Sequence, residues 1–217
     1  MLNANSLEAK TFGAFLFDMD GTILDSSAAS ERVWGGWAKE NGIPTPPYHG
    51  RRVQDTMADL TNKGIDPLRA AAEIEIRELE DLEGVVAIPG AGEFLSSLPP
   101  ERWAVVTSAP RALALRRICA AGLPIPHNLI AAEDVTKGKP SPDPFLAGAR
   151  LLAFAPSRCL VFEDADAGIC SGEAAGCSVL VITETKTATL LDRPSITNYH
   201  GISAVSVEEG LAVQVLG

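Results

Sequence analysis

Two aspartates one residue apart, Asp18-Met19-Asp20, stand directly after an apolar run and are followed by Gly21 and Thr22. Two carboxylates at the carboxyl end of a buried parallel strand occupy the place where open α/β sheets bind ligands. Keeping them there is costly unless a cation or a proton shares their charge, and Gly21 lets the backbone turn tightly beside a ligand. A solvated turn is the bland alternative for a lone pair of this kind, and three further elements stand against it. Thr107-Ser108 ends the run 103–106 with hydroxyls and free turn N–H groups that can cradle an oxyanion, and Pro110 opens the next helix. Alone, such a hydroxyl is more often a helix N-cap. Lys137-Gly-Lys139-Pro-Ser-Pro-Asp143-Pro is a proline-stiffened loop, a rigid setting for a lysine that would otherwise be solvated. Phe162-Glu163-Asp164-Ala-Asp166-Ala-Gly168 again places acids at a strand end. Facing the first pair across adjacent strands, they make an oxygen-rich pocket suited to Mg²⁺.

Elements of a particular kind must hold these residues. Continuous apolar runs at 12–17, 103–106, 129–132, 160–162 and 179–182 have the length of strands buried on both faces. Helix-like stretches at 111–121, 143–153 and 167–175 alternate with them, the last closed by Gly176. The alternation predicts an α/β fold, a doubly wound parallel sheet with helices on both faces. Residues 25–88 break the pattern with helix-like stretches near 28–41, 52–62 and 67–82 and no convincing strand. They read as a helical insertion with hinges near Ser26-Ser27 and 86–90. The domain division is 1–24 with 89–217 for the core and 25–88 for the insertion. Trp34 and Trp37, three apart on one helix, suit the insertion's own core. Residues 1–11 read as a loose polar tail.

The balance of 18 Lys and Arg against 28 Asp and Glu in 217 residues gives a net charge of −10. That charge disfavours a nucleic-acid partner and repels small anions at long range. A phosphate site here must be locally cationic or use a metal to reverse the sign. No apolar run reaches the 18 or so residues of a membrane span, and the run 12–17 is too short for a signal sequence. Cys119, Cys159, Cys170 and Cys177 form no CxxC pair and read as small buried hydrophobes in a reducing compartment. The expectation is a cytoplasmic monomer acting on a small molecule.

The four elements in this order, each but the lysine loop capping a buried strand, resemble the haloacid dehalogenase-like superfamily over nearly the whole chain. Finer similarity lies in Glu31-Arg-Val-Trp34 with Trp37, His49-Gly50, Trp103-Ala-Val-Val-Thr-Ser108, Phe162-Glu-Asp-Ala and Gly172-Glu-Ala-Ala-Gly-Cys177. These resemble a branch of bacterial hexose and hexitol phosphatases and fungal 2-deoxyglucose-6-phosphate and glycerol-3-phosphate phosphatases. The resemblance implies a Rossmann-like core with a helical cap, and a phosphatase of small sugar or polyol phosphates that works through an aspartyl-phosphate. It implies Asp18 as nucleophile and Asp20 as general acid and base. Mg²⁺ would be held by the Asp18 carboxylate, the Asp20 backbone carbonyl and Asp164, with Glu163 a ligand directly or through water. Thr107 or Ser108 and Lys139 would hold the transferring oxygens, while His49, Arg51 or Arg52 and Asp55 are candidate contacts to substrate hydroxyls. Related phosphomutases carry a histidine about twelve residues after the nucleophile. Ser30 stands there, which disfavours a mutase. A catalytically inactive sugar-phosphate-binding module is the non-enzymatic alternative. Asp166 departs from the branch, where relatives carry proline, and 196–200 fits a last strand poorly.

Overall fold

The computed structural model describes residues 10–61, 64–185, 188–189, 192–208 and 210–215. Most of the polar tail 1–11 lies outside them. The chain runs β1 (Ala14–Phe17), β2 (Leu24–Asp25), α1 (Ser27–Glu40), α2 (Val53–Ala58), α3 (Pro67–Glu80) and β3 (Val86–Ala87). It continues through α4 (Ala91–Ser96), β4 (Trp103–Val106), α5 (Arg111–Ala120), β5 (Leu129–Ile130), α6 (Asp143–Leu151), β6 (Cys159–Glu163) and α7 (Asp166–Ala174). β7 (Ser178–Ile182), β8 (Ser195–Ile196), β9 (Ile202–Val207) and β10 (Gly210–Val215) complete it.

Six strands form one sheet in the order β5-β4-β1-β6-β7-β8, every pair parallel. The sheet is the doubly wound one that the alternation requires. Period-two geometry sends alternate side chains to opposite faces. Phe15 and Phe17 of β1 join Val105, Leu160 and Phe162 in one core under Phe94 of α4 and Leu113 and Ile118 of α5. Ala14 and Leu16 join Ala104, Val106 and Val161 in the other, under Phe145 of α6 and Ile169 of α7. Winding out from β1 in both directions leaves a crevice at the carboxyl ends of β1, β4 and β6.

The helical segment has a core of its own, in which Val33, Trp34, Trp37, Met57, Ala70 and Ile74 pack together. Asp66 starts α3 by accepting from the amides of Leu68 and Arg69, with Pro67 at the first helical position. One expectation needs correcting here, because the segment's two ends do pair. Leu24 and Asp25 lie antiparallel to Ala87 and Val86, so the chain leaves and re-enters the core along one two-stranded ribbon.

Two further differences are instructive. The C-terminal stretch forms β8 and then an antiparallel hairpin, β9 with β10, where the sequence offered a poor last strand. Cys159 and Cys177 are buried, whereas Cys119 and Cys170 are exposed. They fall on the solvent sides of α5 and α7.

Candidate active site

Asp18 is the first residue beyond β1, and its amide donates to the Phe162 carbonyl of β6 at 3.0 Å. This bond fixes the backbone beside the end of β6, where Glu163 and Asp164 follow. The Lys139 ammonium donates to Asp18 Oδ1 at 2.5 Å and to Glu163 Oε1 at 2.7 Å, and also faces the Phe145 ring at 4.9 Å. Glu163 Oε2 accepts from the amides of Asp164 and Ala165, each at 2.8 Å. Both Glu163 oxygens are therefore engaged in fixing Lys139 and the turn after β6. Asp164 accepts from Thr22 and Thr185, both at 3.2 Å.

Three buried acids with one ammonium leave a charge deficit. Oxygens of Asp18, Glu163 and Asp164 lie within 4.8 Å of one another. Burial, against the opposing Lys139 charge, pushes the Asp18 carboxyl up to about 7, with Glu163 and Asp20 adding to the rise. Burial, with the negative charges of Glu163 and Asp18 beside it, raises Asp164 well above its ordinary value. Lys139 stays an ammonium, because Asp18 and Glu163 outweigh the desolvation that opposes its charge. A divalent cation on hard oxygen ligands would relieve this deficit. Gly21 keeps the place open: at φ +83°, its added Cβ would lie 2.0 Å from Asp164 Oδ2. The donor set fits Mg²⁺.

The Asp20 side chain turns towards the helical segment. Its Oδ1 accepts from Ser26 at 2.7 Å and from Arg117 of α5 at 3.0 Å. Arg117 also donates to Ser30 of α1 at 3.2 Å and to Glu78 of α3 at 3.1 Å, and Trp34 donates its indole N–H to the same Glu78 oxygen. Asp18, Asp20, Thr107, Ser108, His49 and Asp164 line one cavity, with Ser30, Trp34, Tyr48, Arg51, Glu78 and Arg117 among the other walls. Thr107 Oγ1 accepts from the Ala109 amide at 3.0 Å, and Ser108 donates to the Gly50 carbonyl at 2.9 Å. Gly50, at φ +69°, brings its loop so close that an added Cβ would lie 2.8 Å from Ala165 Cβ. The helical segment is thus docked over the ends of β4 and β6.

Arg52 is not brought to the cavity. Its guanidinium binds both oxygens of Asp55 and the carbonyls of Val135 and Thr136, strapping α2 to the loop before Lys139. Arg52 and Asp55, expected to contact substrate hydroxyls, instead bind each other here as a part-buried ion pair, and the arginines that line the cavity are Arg51 and Arg117. Asp166 also turns elsewhere, accepting from the Thr189 amide at 2.8 Å.

Residues 12–176 match the family model described as haloacid dehalogenase-like hydrolase. The chain belongs to this family. It is similar to hexitol phosphatase A of Escherichia coli K12, 42% identical over 77% of this chain and 82% of that one. Glycerol-1-phosphate phosphohydrolase 2 of Saccharomyces cerevisiae is 34% identical over 79% of this chain and 75% of that one. Among solved structures, a hydrolase from Pseudomonas syringae superposes with a TM-score of 0.73 at 25% identity, covering 83% of this chain and 88% of that one. As a haloacid dehalogenase-like hydrolase, the protein is an enzyme. No helix among its described residues is long and apolar enough to cross a membrane.

Two charged residues of this hydrolase escaped the sequence reading, and their signal was present. Arg117 shares one helix face with buried Leu113, Ala114 and Ile118. Glu78 follows buried Ala70, Ala71 and Ile74. A charge on an apolar stripe is the mark of a partnered buried ion.

Proposed function

We propose that the protein is a cytoplasmic, monomeric, Mg²⁺-dependent phosphatase of small sugar or polyol phosphates, working through a phosphorylated Asp18. The observation that carries this reading is the state of Asp18: buried at the cavity floor, one oxygen fixed by Lys139, the other without a hydrogen bond among the described residues. A carboxylate so held has its unpaired oxygen available to phosphorus.

Mg²⁺ would sit on the Asp18 carboxylate, the Asp20 carbonyl and Asp164, where it would offset charge on the transferring oxygens. Glu163, which accepts from Lys139 and from two backbone amides, would hold Lys139 and reach the ion directly or through water. Asp18 attacks phosphorus and the ester P–O bond breaks, while Asp20 gives its proton to the leaving sugar oxygen. Asp20 then takes a proton from water, whose oxygen attacks phosphorus and returns Asp18 as inorganic phosphate departs. Such proton transfer contributes about 10²–10⁴-fold, and dividing the hydrolysis into two displacements lowers each barrier. Thr107, Ser108 and Lys139 steady the phosphoryl oxygens.

Residues 25–88 act as a cap and 1–24 with 89–217 as the core. Three features support this division: the separate apolar core of α1–α3, the paired strands β2 and β3, and the cavity walls drawn from both parts. Swinging on that ribbon, the cap admits substrate and then excludes bulk water. The relatives named as hexitol and glycerol phosphate hydrolases support polyol phosphates as the substrate class.

The test is phosphate release from a panel of sugar and polyol phosphates, with Mg²⁺ and with EDTA, for the wild type and Asp18→Asn. Turnover that needs Mg²⁺ and vanishes in a folded Asp18→Asn protein is expected. Appreciable activity of Asp18→Asn would remove Asp18 from the nucleophile's role.

A further inference from the structure

The cavity wall away from Asp18 holds a buried ion pair that the hydrolysis of a phosphate ester does not require. Glu78 comes from α3 of the helical segment and Arg117 from α5 of the core, with side chains 6% and 4% exposed. Glu78 Oε1 is used twice, by Arg117 and by the Trp34 indole. Glu78 Oε2 makes no hydrogen bond among the described residues, although Glu78 lines the cavity. Arg117 Nε is a buried donor with no partner among the described residues. Burying a charged pair with unused hydrogen-bonding capacity stabilises a fold little, and apolar side chains of similar size serve as well or better. Unmet polar groups beside a cavity call for another explanation.

We propose that Glu78 is a specificity-determining residue whose free carboxylate oxygen accepts a hydrogen bond from a substrate hydroxyl. This rests on the phosphatase reading and deepens it. Arg117 is the positioning residue, spanning Asp20 at the reacting end and Glu78 at the recognition end. Ser30 completes the polar wall, and the buried Trp34 ring, stacked on Tyr48 at 4.8 Å, keeps its indole N–H on Glu78. A hydroxyl-bearing chain replaces the water that these groups lose on closure. An alkyl chain of the same length leaves Glu78 Oε2 desolvated and without a donor, so the pocket selects for hydroxyls and against hydrocarbon.

The test compares a hexitol 6-phosphate with n-hexyl phosphate in the wild type and Glu78→Gln. Both esters lose a primary alcohol that Asp20 protonates, so altered proton delivery at Asp20 moves their rates together, whereas loss of hydroxyl recognition moves only the first. The wild type should favour the hexitol ester in kcat/KM, and Glu78→Gln should lower that preference by about 10- to 100-fold. An equal loss for both esters assigns Glu78 a purely structural part and overturns the proposal, as does an unchanged ratio. If Glu78→Gln does not fold, the wild type decides alone: a preference below about threefold overturns the proposal. A wild type that hydrolyses neither ester nor any sugar phosphate sinks the phosphatase reading instead.

Discussion

Replacing Lys139 by methionine removes the one ammonium among three buried acids. Lys139 is 1% exposed and serves both Asp18 and Glu163. Removing one member of a buried ion pair costs about 3–5 kcal/mol, and methionine keeps most of the stem that packs beside Phe145. The loss depends on pH in a definite direction. Asp18 is already raised to about 7 in the folded protein, against an ordinary value of 3.8, and Lys139→Met removes the charge that holds it down. Between those values the folded chain binds more protons than the unfolded one, so stability falls as pH rises and levels off above the folded pKa. Urea unfolding in EDTA should show Lys139→Met weaker than wild type by about 3–5 kcal/mol at pH 8, and clearly less weakened at pH 5.5. Added Mg²⁺ should recover part of the loss at pH 8. A loss below about 1 kcal/mol, or one identical at both pH values, would refute the assignment of Lys139 as counter-charge to these acids.

The same electrostatics bear on metal affinity. Protons on Asp18 and Asp164 must leave before an ion can bind, so Mg²⁺ affinity measured by calorimetry should climb from pH 5.5 to 7.5; a flat profile excludes these ligands. Gly21→Ala should fold with measurable strain and lose Mg²⁺ binding, because its Cβ and Asp164 Oδ2 cannot share the same space. Retained binding by that variant would place the ion elsewhere. Arg52→Met should lower stability by about 2–3 kcal/mol through the lost strap, with KM for the best substrate within about twofold of wild type. A tenfold rise in KM at unchanged stability would return Arg52 to the substrate.

What could be read from the sequence follows from how local each determinant is. Asp18, Thr107 and Asp164 each sit one step beyond a buried strand, so an apolar run ending in a polar residue locates them at once. Lys139 was legible through the prolines that stiffen its loop. Direction was harder to read. Arg51 and Arg52 are neighbours with the same chemistry, and only tertiary contacts decide that Arg52 turns to Val135 and Thr136 while Arg51 reaches the cavity. The pair β2 and β3 was invisible because two-residue strands carry no periodicity, and 62 residues separate Leu24 from its partner Ala87 in sequence (87 − 24 − 1). The hairpin β9–β10 was missed for another reason. β9 has mostly half-buried or exposed residues, so it lacks the continuous apolar run that marked the central strands.

The net charge of −10 imposes a condition on how an anionic substrate can bind at all. The cavity walls carry four acids, Asp18, Asp20, Glu78 and Asp164, against two arginines, Arg51 and Arg117. Lys139 and Glu163 oppose one another behind them. At a pH where all four acids are ionised, the site without a metal therefore repels a phosphate dianion, and two added positive charges bring the walls to neutrality. Metal and phosphate should bind with positive coupling, and linkage makes that coupling reciprocal. Inorganic phosphate should bind at least about tenfold more weakly in EDTA than in saturating Mg²⁺, and phosphate should tighten Mg²⁺ by the same factor. Titration calorimetry in both orders measures the two factors independently. Equal phosphate affinity with and without the ion would mean that Arg51 and Arg117 alone overcome the acids, and the case for a metal built on charge deficit would fail.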